Sequence, residues 1–157
     1  MRNLARHLTP QVLALVVAVG FIAFGIMGFI PGVMHDMDDM KMAGHDSDGM
    51  WLGVGQLSYL HNVLHLTIGV LGLFAAWKGM RASVIYLVAG GAFYGIFGIY
   101  GLVVGPDTQA NWAPTNGFDD TIHLLAATFM IASGIISGRY FSREEGPPEP
   151  EPVPAVA

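Results

Sequence analysis

Four long stretches without a single charge constrain this chain more than any other feature. Residues 11–30, 51–77, 82–104 and 121–138 contain no Asp, Glu, Lys or Arg and are mostly apolar. A helix of roughly 20 such residues crosses a bilayer core of about 30 Å. In lipid the backbone must satisfy its own polar groups, which a helix does within one segment. The link Lys78-Gly79-Met80-Arg81 between the second and third stretches is too short for anything but adjacent antiparallel helices. Composition agrees: 53% of the 157 residues are hydrophobic and 12% charged, against about 25% charged in an ordinary soluble domain. The expected architecture is an all-α, polytopic bundle of four transmembrane helices over residues 11–138, arranged as two tandem hairpins, with the lipid bilayer as first partner. Seven Lys and Arg against twelve Asp and Glu argue against a nucleic-acid partner. The lack of Cys excludes disulfides, iron–sulfur clusters and thiolate chemistry.

Charge sets the orientation. With four spans, Arg2, Arg6, Lys78, Arg81, Arg139 and Arg143 fall on one side, while Lys41 and eight Asp fall on the other. The positive-inside rule then places both termini in the cytoplasm of an inner (cytoplasmic) membrane, with residues 1–10 as a short cytoplasmic start. Trp51 and Trp112 mark the outer interface and Trp77 the inner one. The first apolar run is longer than the core of a cleaved signal peptide and no Ala-x-Ala site follows it, so it reads as a retained helix. Residues 139–157 read as a disordered cytoplasmic tail, with five Pro and four Glu from Glu144 onward.

The chain repeats itself. Phe24-Gly25-Ile26-Met27-Gly28 at the end of span one returns as Phe97-Gly98-Ile99-Tyr100-Gly101 at the end of span three. Each block precedes an acidic outer loop, and each loop feeds a helix with His near its start, His61 in one half and His123 in the other. Spans one and three run the same way, so the expected relation is a parallel pseudo-repeat about an axis along the membrane normal. Gly28/Gly32, Gly91/Gly95, Gly101/Gly105 and Gly134/Gly138 are spaced i, i+4, which lets helix backbones approach closely. Glycine faces left over after internal packing are candidates for contacts with other membrane subunits or a second copy.

Polar residues inside the spans are few and therefore informative. Ser58, His61 and His65 share one helix face with Gly69 and Gly72, and Asn62 lies beside it. Pseudo-symmetry is expected to bring His123 to the depth of His61. Two readings follow. In one, Ser58, His61, Asn62, His65 and His123 form a hydrogen-bonded network that fixes helix register, as buried polar groups do. Alternatively His61, His65 and His123 bind a cofactor, with Asp119 and Asp120 one turn before His123 as carboxylate ligands: imidazole with carboxylate suits Zn, Cu(II), Fe or Ni, and facing imidazoles suit haem. One of the two Asp is also the natural N-cap of span four.

The outer loop from Met34 to Met50 holds five of the nine Met. Met34, Met37 and Met40 recur every third residue, Met42 follows, and His35 and His45 add imidazoles. Thioethers are soft ligands suited to Cu(I), so this loop is a candidate copper-collecting mouth. The competing reading is a segment whose Met side chains rest on the bundle, where their adaptability suits an irregular surface.

Several local patterns resemble a family of small four-helix membrane proteins, widespread in actinobacteria and catalogued only as a domain of unknown function. They are Gly28-Phe29-Ile30-Pro31-Gly32, Ala43-Gly44-His45-Asp46-Ser47, Leu60-His61-Asn62-Val63-Leu64-His65, Asn111-Trp112-Ala113-Pro114-Thr115-Asn116 and Asp120-Thr121-Ile122-His123. The resemblance covers residues 10–138 and implies four spans and no assigned activity. The leading functional expectation is a non-enzymatic membrane component with a buried His/Asn cluster. The alternative is a copper- or haem-binding membrane protein. No nucleophile–base pair or carboxylate pair stands at a diagnostic spacing for catalysis.

Overall fold

The computed structural model of the chain describes residues 8–144. Four long helices dominate: α1 (Pro10–Met27), α2 (Tyr59–Lys78), α3 (Met80–Val104) and α4 (Gly117–Glu144). All four are long and apolar enough to cross a membrane, so this is a multi-pass membrane protein in contact with lipid. Within each span only 28–33% of residues are buried inside the protein. Large apolar side chains such as Val16, Val70, Phe74, Ile96, Leu102, Leu125 and Ile136 point outward. Beside a few large side chains (Phe21, Leu87, Tyr94 and Met130), the interior is rich in small and polar residues: Ala14, Ala18 and Ser83 are fully buried, and His61, Asn62, His65, Asp120 and His123 are no more than 3% exposed. Lipid tails are as apolar as Leu, so large side chains gain nothing by turning inward and close packing of small ones holds the helices.

The two hairpins, α1 with α2 and α3 with α4, repeat one another contact by contact. The shift is 73 positions in the first helix of each pair and 58 in the second. A Cβ added to Gly69 would stand 2.9 Å from the Ala18 carbonyl, and one on Gly91 would stand 3.1 Å from that of Ala127. One on Gly25 would stand 3.0 Å from the Asn62 carbonyl, and one on Gly98 3.3 Å from that of Asp120. Gly28 leaves no room for a Cβ beside the Asn62 side chain, nor does Gly101 beside Asp120. The helix starts match as well: Ser58 Oγ accepts from His61 N at 3.1 Å, and Asn116 Oδ1 accepts from Asp119 N at 3.2 Å. This register corrects the expected pairing of His61 with His123. The counterpart of His123 is His65, and that of His61 is Asp119. The caps, rather than the distance from the preceding glycine block, set the register of each second helix.

The second span begins at Tyr59 rather than at residue 51. Residues 51–57 instead belong to a small antiparallel sheet of β1 (Met34–His35), β2 (Gly49–Trp51) and β3 (Gly55–Leu57), in that order. Glycines at 49, 53 and 55 oppose a helix there, and Leu52 and Gly53 turn the chain with positive φ, 48° and 73°. The first helix ends at Met27 rather than at residue 30, capped by Gly28. The fourth begins at Gly117 and runs through residues 139–144, expected as tail, because no helix breaker occurs before Gly146-Pro147. The remainder of that tail and residues 1–7 lie outside the described residues. A π turn over Tyr86–Gly90 interrupts α3.

The sheet also changes the reading of the methionine loop. Met34 and Met40 are 4% and 5% exposed and pack with Leu57, Phe24, Trp51 and Tyr59. Met37 lies against that cluster, while Met42 is 71% exposed. Thus two of the four closely spaced thioethers are apolar packing groups, and copper capture by this loop would require them to leave that cluster. The glycine faces are consumed too. Gly28, Gly91, Gly101, Gly134 and Gly138 all meet neighbours inside the bundle, so these glycines are not left over for other subunits.

Two substitutions separate close packing from composition. Gly101→Val forces a side chain into Asp120 and is expected to destabilise the bundle by about 1–3 kcal/mol in detergent. Gly20→Ala, where nothing lies within 4 Å, is expected to leave the thermal midpoint unchanged or slightly raised. A midpoint equally insensitive to both would contradict the contact map.

Candidate functional site

The site is built from the starts of α2 and α4. With Ser58 capping α2, His61 and His65 stand one turn apart on the buried face, their rings stacked with centroids 4.7 Å apart. His123, nearly two turns into α4, brings its ring to 5.4 Å from that of His61 and 6.3 Å from that of His65. One ring nitrogen from each of the three lies within 4.8 Å of the others. Aromatic rings wall the cluster in symmetric positions. Phe24 stands 5.0 Å from His65 where Phe97 stands 5.2 Å from His123. Phe21 stands 5.7 Å from His65 where Tyr94 stands 4.5 Å from His123.

Hydrogen bonds hold two of the rings and leave a free nitrogen on each. The Pro114 carbonyl lies 3.0 Å from His61 Nδ1. A carbonyl only accepts, so Nδ1 carries the hydrogen and Nε2 of the neutral ring presents a lone pair. That Nε2 is buried without a partner. His65 Nε2 is 3.0 Å from the Tyr94 hydroxyl, and its Nδ1 is buried without a partner. His123 Nδ1 is also buried and unpartnered. The Pro114 carbonyl is itself positioned: Asn111 Oδ1 accepts from Thr115 N at 3.2 Å, and Asn111 Nδ2 donates to the carbonyls of Pro106 and Thr115, each at 3.1 Å.

The remaining candidates take other places. Ser58 is the cap of α2. Asn62 is fully buried and donates to the Gly28 carbonyl at 2.9 Å, joining α2 to the end of α1. Asp119 Oδ2 accepts from Gln56 N at 2.8 Å and Asn116 N at 3.0 Å, which fastens β3 to the start of α4. The Asp120 carboxylate rests against Gly101, with Oδ1 buried and unpartnered. His35 is exposed on β1, and His45 contributes its backbone carbonyl to Gln56 Nε2 at 3.2 Å. Among the described residues, the three-membered group of close His, Asp or Glu ligand atoms is His61, His65 and His123, without Asp119, Asp120, His35 or His45.

Sequence reasoning missed Tyr94, Asn111 and the Pro114 carbonyl. Tyr94 had a signal, since it stands three residues before its F-G-I-x-G block as Phe21 does before the first. Chemically, the arrangement offers nitrogen donors only, inside an apolar wall, with one donor oriented by a backbone carbonyl.

No curated protein and no solved structure matches the chain. A family model described as a domain of unknown function, DUF4383, matches residues 11–136, which include all three histidines and both long loops. By that match the chain belongs to the DUF4383 family.

Proposed function

We propose that this protein is a membrane-embedded metal-binding protein in which His61, His65 and His123 hold one first-row transition-metal ion of the zinc or copper type. The observation that carries this reading is the set of three buried imidazole nitrogens, one per ring, without a hydrogen-bond partner. A network serving only helix register would pair these atoms, because each orphan costs roughly 1–3 kcal/mol. One nitrogen of each ring lies within 4.8 Å of the others, close enough for the three rings to share a single ion. Three imidazoles plus an open position is a familiar set for zinc and suits copper. The Pro114 carbonyl on His61 Nδ1 is the outer support that a metal-ligating histidine usually has. The geometry favours an ion over haem: His61 and His65 stack on successive turns of one helix, whereas a porphyrin needs its two rings opposed across a slot.

We further propose that both termini lie in the cytoplasm and that the sheet end of the bundle, with the histidines beneath it, faces the outer side; the excess of Lys and Arg at the opposite end supports this. The chain has no native cysteine, so single-cysteine reporters are clean. On intact cells a membrane-impermeant maleimide is expected to label Met42→Cys, while Lys78→Cys reacts only after lysis. The reverse pattern would invert the topology.

Metal content tests the centre. Protein purified without chelator is expected to carry about one zinc or copper ion per chain. His61→Ala, His65→Ala and His123→Ala should each lose it, and His35→Ala and His45→Ala should keep it. Folded protein that stays metal-free on titration with both ions would overturn the reading. Asn111→Ala, which frees the Pro114 carbonyl without touching a ligand, is expected to weaken metal affinity roughly 10–100-fold. Unchanged affinity would remove the carbonyl from the account.

A further inference from the structure

One break in the pseudo-symmetry of the bundle beside the histidines changes the space around them. Position 20 on α1 and position 93 on α3 are counterparts, but one is Gly and the other Phe. On the α3 side, Phe93 joins Leu64, Ile68, Phe97 and Trp112 around a cavity of about 50 Å³. On the α1 side, a Cβ on Gly20 would meet nothing within 4 Å. There the gap between α1 and α4 widens into a cleft of about 290 Å³, with Phe21, Phe24, Phe118 and Phe129 among its walls. His61, His65 and His123 line it as well. Among the described residues, no other glycine well inside a membrane-spanning helix stands beside so much open space.

We infer that this cleft binds a membrane-dissolved hydroxyaromatic molecule, a monocyclic phenol or quinol, whose hydroxyl meets the histidine cluster. The cleft lies between two membrane-spanning helices, so its occupant arrives through lipid. The walls are aromatic and apolar, which selects a flat ring. The volume lies at the low end of the range of about 300–1,000 Å³ for ligand pockets, which selects one ring over a fused polycycle. At the polar end the His123 ring lines the cleft with Nε2, which is not among the buried unpartnered atoms; this nitrogen accepts from a hydroxyl, or an ion held by the cluster takes the hydroxyl oxygen as a further ligand. The inference therefore deepens the proposed metal centre without requiring the ion.

Photolabelling in nanodiscs tests it, with an alkylphenol bearing a diazirine as the probe and peptide mapping as the readout. Labelling is expected on residues 16–24 and 118–130. Gly20→Phe, which supplies the counterpart's side chain, should abolish that labelling while metal content stays unchanged. Phe93→Gly should open the mirror site and add labelling on residues 64–68 and 93–97. The matched alkylbenzene probe should label less than the phenol, and a diazirine phospholipid should not compete. Equal labelling by phenol and alkylbenzene, displacement by phospholipid, cross-links between two copies, or indifference to Gly20→Phe would each overturn the inference. Metal content measured on the same samples separates these failures from a failure of the metal centre.

Discussion

A polar group taken into a lipid-embedded bundle has no water to fall back on, and the fold is arranged around that cost. His61, Asn62, His65, Asp120 and His123 lie inside four helices whose outward faces are apolar. Two of these side chains are tied to backbone carbonyls of neighbouring segments. Asn62 reaches the end of α1 and His61 reaches the loop before α4. These ties bring α1, α2 and α4 together at one end of the bundle. Close backbone contacts through Gly25, Gly69, Gly91 and Gly98 bring the paired helices near enough for the ties to form. One nitrogen on each of the three rings is left without a partner, as are Asn62 Oδ1 and Asp120 Oδ1, and the three nitrogens set on neighbouring rings are what the proposed metal centre rests on.

The two hairpins supply the same scaffold twice, and what differs between them is where chemistry enters. Asn62 faces Asp120 in the repeat, His61 faces Asp119, Phe21 faces Tyr94, and Gly20 faces Phe93. His65 and His123, like Phe24 and Phe97 beside them, are identical counterparts. A symmetric pair of histidines thus gains a third ring, His61, from one half. It gains a hydroxyl, Tyr94, from the other, placed on His65 across the interface. The small sheet and the loop before α4 close this end of the bundle. Leu57 and Met40 sit in the apolar seam beneath the strands, and Asp119 links strand to helix.

Much of this was legible in the residues. Charge-free runs gave the four spans. Helical spacing placed His61 and His65 on one face. The repeat was visible in the F-G-I-x-G blocks, but its register in the second helices was not read correctly from loop length. Asn62-x-x-His65 and Asp120-x-x-His123, each four residues after a cap, carried the true alignment. The sheet escaped because two- and three-residue strands leave no periodicity, and the apolar run from Trp51 merged with the helix that follows. The methionines looked water-exposed because nothing in the sequence announced a cover for them to sit under. The Pro114 carbonyl could not be found from residue types, since any residue there supplies a carbonyl.

The central claim is that His61, His65 and His123, each with one nitrogen within 4.8 Å of the others, hold a single metal ion between them. X-ray absorption at the zinc edge of the zinc-loaded protein addresses it most directly. The account predicts a shell of about three imidazole nitrogens at roughly 2.0–2.1 Å, with the outer-shell scattering of histidine rings. A first shell of oxygens alone, or a sulfur scatterer at roughly 2.3 Å or beyond, would place the ion elsewhere and contradict it.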